Sequence, residues 1–167
     1  MGRMWLSIAL LASWPAQGRE ALRPDLPQVE RAIVAGTNDF RRENGRGAVA
    51  IDARLEAAAH AFAKLMAATG KLSHEADGRN AGERMVAQGY RYCMYAENIS
   101  YQYSSAGFET GKLASLLLEG WKESRGHRAN MLKGDAVHIG VGVARSPANG
   151  YFYAVQLFGS PRTGGRC

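Results

Sequence analysis

Only two cysteines, Cys93 and Cys167, and five prolines occur in the 167 residues, which excludes a small scaffold held by several disulfides. Beyond the first 18 residues no apolar run is long enough to cross a bilayer, so no transmembrane anchor is expected. The basic residues are scattered, and no basic block is interleaved with aromatics, which argues against nucleic-acid binding. Several catalytic signatures are missing as well. There is no Gly-x-Ser-x-Gly elbow, no phosphate-cradling loop and no dinucleotide fingerprint. "HEADG" at 74–78 is not a zinc-protease helix, because Gly78 stands where the second histidine is needed.

What is present begins with "MGRMWLSIALLASWPAQG". Arg3 precedes an apolar stretch from Met4 to Trp14, and Ala16-Gln17-Gly18 has the small-x-small form of a cleavage site. Residues 1–18 read as a signal peptide, the alternative being a buried N-terminal helix. A secreted or periplasmic protein follows from the first reading. The full chain carries a net charge of +6; losing Arg3 leaves 20 basic against 15 acidic residues, or +5. In an oxidising compartment Cys93 and Cys167 have one intramolecular pairing open to them.

Residues 19–28 read as a linker, 29–160 as one domain and 161–167 as a C-terminal tail. Val29, Ile33, Thr37 and Phe40 recur at helical spacing until "NGRG" at 44–47. Asp52 is an N-cap for a second helix bearing Leu55, Ala59, Phe62 and Met66 on one face, and Gly70 stops it. Asn80 and Glu83 are spaced as a capping box for a short third helix. "YRYCMYAENIS" reads as a strand, and Leu113, Leu117 and Trp121 mark a fourth helix over about 108–124. "AVHIGVGVA" and "YFYAVQLFG" are strands joined by "RSPANG", whose Asn-Gly is hairpin chemistry. Helices first and antiparallel strands last give an α+β domain.

Of the four histidines, His60 lies off the apolar face of its helix and His138 sits in a strand, so both read as structural. His74 and His127 occupy joints rich in Gly and Ser, where a side chain can be aimed without joining a core stripe. A structural and a functional role are both open to each of them. The "SYQYSSAGF" loop at 100–108 is rich in Tyr and Ser, a composition suited to contact surfaces and equally to a plain polar connection.

"LSH" (72–74), "AENIS" (96–100), "W-x-x-S-x-x-H-R-x-N-M-L" (121–132) and "IGVGVA" (139–144) occur in that order, ending in "YFYAVQLFG". With Asn38 and Arg41 upstream, this combination resembles the CAP superfamily, also called SCP-like, and most of all its bacterial branch. The resemblance implies an α-β-α sandwich with a small three-stranded antiparallel sheet between helices. It also implies a cleft where two histidines and two acids meet, which holds a divalent metal in some members. Carried across, these are His74, His127 and Glu97, while the second acid's position is Ser124.

That departure weakens the site as a metal centre. His74, Glu97 and His127 could hold zinc or another divalent ion with an open fourth position, but a serine hydroxyl is a poor ligand. Glu123 is not a replacement, since adjacent helix residues point about 100° apart. The family resemblance implies a non-catalytic binding module for an envelope component, a lipid-like molecule or a protein, with His74, Glu97, Ser124 and His127 lining the cleft. The alternative is a metal-dependent hydrolase using His74, His127 and Glu97.

Overall fold

The computed structural model describes residues 21–164 and 166–167. The expected signal peptide, residues 1–18, lies outside the described residues. Nine elements follow one another: α1 (Leu26–Glu43), β1 (Ala50–Ile51), α2 (Ala53–Thr69), α3 (Ala81–Ala87), β2 (Tyr92–Gln102), α4 (Thr110–Glu123), α5 (Arg125–Met131), β3 (His138–Arg145) and β4 (Phe152–Pro161).

Local chemistry sets most boundaries. Asp25 caps α1 by accepting from the Gln28 N–H, and a proline in the first turn fits where the N–H is not needed. The helix therefore starts inside the stretch expected to be linker. Asp52 caps α2, and Gly70 ends it with a left-handed φ of 70°. Asn80 and Glu83 form a reciprocal capping box at α3.

The sheet order is β1-β3-β4-β2. β4 is antiparallel to both β2 and β3, giving the expected three-stranded antiparallel unit. A fourth strand is added: Ala50 and Ile51 run parallel to His138 and Ile139. Two residues are too few for an alternating pattern, so nothing in the sequence marks this strand.

Alternation along β4 explains the layering. Phe152, Ala154 and Phe158 face one core, which also holds Val29, Leu117 and Trp121 of α1 and α4. Tyr153, Val155 and Leu157 face the other, with Leu55, Phe62 and Met85 of α2 and α3. The sheet is thus buried on both faces, as an α-β-α sandwich requires. "IGVGVA" has its own logic here. Ile139, Val141 and Val143 fill the α1/α4 side, while Gly140 and Gly142 lie under α2. A Cβ at Gly140 would overlap the Leu55 and Glu56 backbone, and one at Gly142 the Ala59 and His60 backbone. The glycines let α2 settle directly on the sheet.

Cys93 and Cys167 are disulfide-bonded, their Cα atoms 5.2 Å apart, tying the end of the chain to the start of β2. Among the described residues no helix is long and apolar enough to cross a membrane.

Candidate functional site

β2 is an edge strand, so residues at its middle can be reached from either helical layer. Its alternation sends Glu97 and Ile99 toward α2 and α3, and Ala96 and Asn98 toward α1, α4 and α5. Glu97 and Asn98 therefore organise two adjoining halves of one site.

On the first half, His74 comes from the turn after α2. Its Nδ1–H donates to Glu97 Oε1 at 2.7 Å. Glu97 Oε2 accepts from Arg84 Nη2, also at 2.7 Å. The Glu97 side chain is only 4% exposed, whereas that of His74 is 56% exposed. A buried carboxylate needs such partners, because leaving one unpaired is costly. Arg84 is buried too. It donates to Asp77 Oδ1 at 2.9 Å, to the Arg79 carbonyl and to the His74 carbonyl at 3.0 Å. Its guanidinium carbon lies 3.5 Å from the centroid of the Phe62 ring. Burial works against an ionised Asp77, but the Arg79 N–H and the Arg84 charge hold its carboxyl below the ordinary value. His74, Glu97, Tyr95 and Asn80 line a hollow of about 220 Å³.

The second half is carried by the corner between α4 and α5. Ser124 has extended backbone there, closes α4 and opens α5, and makes no side-chain cap. Trp121 and Met131 on either side are buried in the core. Asn98 Nδ2 donates to the His127 carbonyl at 3.1 Å, and Asn130 Nδ2 to the Glu97 carbonyl at 3.1 Å. His127 is thereby tied, through its own backbone, to the residue next to Glu97. Burial holds its imidazole below the ordinary value, and charge on His74 pushes the same way. Near neutrality His127 is uncharged.

Of the sequence-derived cleft residues, His74 meets Glu97 through its side chain, and His127 is tied to Asn98 through its backbone carbonyl. Ser124 stays at the corner, and among the described residues no hydrogen bond joins it to His74, Glu97 or His127. His60 instead pairs with Glu30 at 2.9 Å. His138 shares a 2.9 Å hydrogen bond with the Tyr90 hydroxyl, whose pKa burial pushes up to about 12.

Two parts of the site have no counterpart in the sequence reading. Arg84 is one. The signal was a guanidinium beside Ala81 and Met85 on the buried face of a seven-residue helix, which calls for a buried acid. The other is a polar relay in which every donor finds an acceptor. Asn130 donates to Asn98 Oδ1, Asn98 to Gln156 Oε1, Gln156 to Thr37 Oγ1, and Thr37 to the Ile33 carbonyl. It runs from α5 through β2 and β4 to α1 and fixes the register of the site against the sheet. Arg41 adds a brace by donating to the carbonyls of Gly47, Met131, Lys133 and Ala136.

The donor set does not fit a resident divalent ion. Both Glu97 oxygens are hydrogen-bonded, one to a guanidinium that already supplies the compensating positive charge. Among the described residues no three His, Cys, Asp or Glu side chains are grouped to hold a metal.

The architecture is shared with known proteins. An extracellular protein of Bacillus anthracis containing an SCP domain is 25% identical, with a TM-score of 0.67 over 81% of this chain and 41% of its own. This chain therefore spans about two fifths of that relative's length. A cysteine-rich secretory protein of Staphylococcus aureus matches at 20% identity and TM-score 0.58, over 80% of this chain and 39% of its own. An outer surface protein of Borrelia burgdorferi matches at 17% and 0.68, over 79% and 92%. The latter two show the fold alone. Comparison with curated proteins finds no significant match. The model of the cysteine-rich secretory protein family matches residues 34–158, most of the chain. With the sandwich and the ordered motifs, this match places the chain in the CAP family of cysteine-rich secretory proteins.

Proposed function

We propose that the domain works outside the cytoplasm as a non-catalytic binding module, taking its ligand at the His74–Glu97 hollow beside His127. One observation carries this reading. Glu97 is buried with each oxygen committed, Oε1 to His74 and Oε2 to Arg84. Such a carboxylate is poorly suited to serve as a mobile base or a metal ligand. It fixes the tautomer and orientation of His74 instead. Because Nδ1 is held by Glu97, Nε2 is the ring nitrogen left for a ligand, and among the described residues nothing occupies it. A ligand hydroxyl, able to donate or accept, complements that nitrogen, and the exposed Tyr95 ring offers an apolar wall. An envelope component, a lipid-like headgroup or a protein loop has this chemistry.

Extracytoplasmic placement is supported by the Cys93–Cys167 disulfide and by the extracellular relative from Bacillus anthracis. The leader-like segment at residues 1–18 agrees with it. The hydrolytic alternative is less well supported: among the described residues no hydrogen bond joins Ser124 to either histidine, and the donor set does not suit a catalytic ion.

Native mass spectrometry of protein incubated with an envelope extract tests the reading, with folding checked by circular dichroism. Wild type and His60→Ala should carry the same bound ligand, and His74→Ala should not. Equal occupancy of wild type and His74→Ala would overturn it. So would zinc-dependent turnover that both His74→Ala and His127→Ala abolish.

A further inference from the structure

The far end of the sheet holds a feature that the His74 hollow does not use. Tyr101, Tyr103, Tyr151 and Tyr153 gather where β2 ends and β4 begins. Tyr103 stacks on Tyr151 with centroids 4.8 Å apart and planes 21° from parallel. Tyr101 meets Tyr151 edge-on at 5.1 Å and Tyr153 at 6.0 Å. Tyr153 is buried and receives a hydrogen bond from Asn149 at 3.3 Å, so the cluster is anchored in the core. Its outer members are not covered: Tyr101 is 45% and Tyr103 52% exposed.

Tyr103 also forms one wall of a hollow of about 350 Å³ between the "SYQYSSAGF" loop, the β3–β4 hairpin and residues 21–23. Ser104, Ser105 and Asn149 supply hydroxyls and an amide, and Arg145 and Arg23 supply guanidinium groups. No acidic side chain lines it. Among the described residues Arg145 has no ion pair; its recorded contact is with the Phe152 ring at 5.9 Å. A cation without a counter-charge, in a chain of net charge +6, favours an anionic ligand.

The combination is specific in its chemistry. A rigid, half-exposed aromatic ring offers a flat apolar face at little entropic cost. Planar amide and guanidinium groups beside it suit hydroxyl and carboxylate oxygens. A pyranose ring bearing a carboxylate has both, an apolar C–H face and a polar, charged edge. A proline-rich peptide would match the ring but not the polar floor.

We propose that this hollow is a second binding site, for a carboxylate-bearing oligosaccharide whose sugar ring lies on Tyr103 and whose carboxylate meets Arg145. It is a separate site from the His74 hollow, and the two stand or fall independently.

Trigalacturonate and its methyl ester, which keeps the rings and removes the charge, are the probes. Heteronuclear NMR titration of the purified protein should move Tyr103 and Arg145 signals with trigalacturonate. The ester should bind about tenfold more weakly. Arg145→Gln should narrow the difference between acid and ester several-fold. Tyr103→Ala should weaken both, and His74→Ala neither; both variants are at exposed side chains, and a preserved spectrum shows that they fold. Equal binding of acid and ester by wild type overturns the proposal. Shifts confined to the His74 hollow, or none with either probe, do so as well.

Discussion

Arg84 reaches Glu97 across the α3–β2 junction with 2.7 Å between Nη2 and Oε2, both side chains 4% exposed. It also holds Asp77 at 2.9 Å. One buried cation therefore compensates two nearly buried carboxylates, and removing it leaves Glu97 with His74 alone and Asp77 with the exposed Arg79 alone. Arg84→Met should cost about 3–5 kcal/mol in urea unfolding. Arg84→Lys keeps the charge but loses the fork that reaches both acids, and should recover only part of that. Wild-type stability in Arg84→Met would show that the carboxylates are not held by this ion pair.

The state of His127 sets a pH dependence whose sign follows from its shift. Burial and the His74 charge hold its folded value below the ordinary 6.5. Above that value the imidazole is neutral in both states and contributes no slope. As the pH falls through 6.5 the unfolded chain takes up a proton that the folded site resists, so stability declines. The decline ends once His127 protonates in the fold. Urea midpoints should fall between about pH 7 and about pH 5, and His127→Gln should fall less. Identical slopes for the two proteins would place the origin elsewhere. Asp77, also held low, adds a loss in the same direction in a separate window, below its ordinary 3.8.

Caps and stops could be read directly because they are local. Asp52, Gly70 and the Asn80/Glu83 pair act within a turn of their own positions, and each is where its chemistry demands. The sandwich was legible through period changes along the chain together with a family resemblance. Long-range pairing was not. Arg84 lies 13 residues from Glu97, and Gln156 lies 119 from Thr37, so no spacing rule links either pair. β1 was invisible for the opposite reason, being too short to carry a pattern.

The Cys93–Cys167 bridge spans 74 residues, a long loop by the chain-entropy account. Closing it should stabilise the fold by about 4.5 kcal/mol, less any cost from native-state strain. Cys167→Ser measures this cleanly, since Cys167 is exposed. The variant should unfold at clearly lower urea with an unchanged circular dichroism spectrum. Unfolding at the wild-type midpoint would mean that the unfolded chain is already compact across this span.

The same substitution at two glycines should have opposite signs. At Gly140 a Cβ would run into the Leu55 and Glu56 backbone, which cannot swing aside as a side chain would. Gly140→Ala must lift α2 from the sheet and should cost about 1–3 kcal/mol or more. At Gly126, inside α5, a Cβ meets nothing within 4 Å. Gly126→Ala adds a methyl in open space and lowers the entropy of the unfolded chain. It should stabilise by about 0.5–1 kcal/mol. Thermal unfolding of the two variants side by side checks both signs. If Gly140→Ala melts with wild type, then α2 does not rest on β3 as closely as the sheet geometry requires, and the "IGVGVA" stretch needs another reason for its glycines.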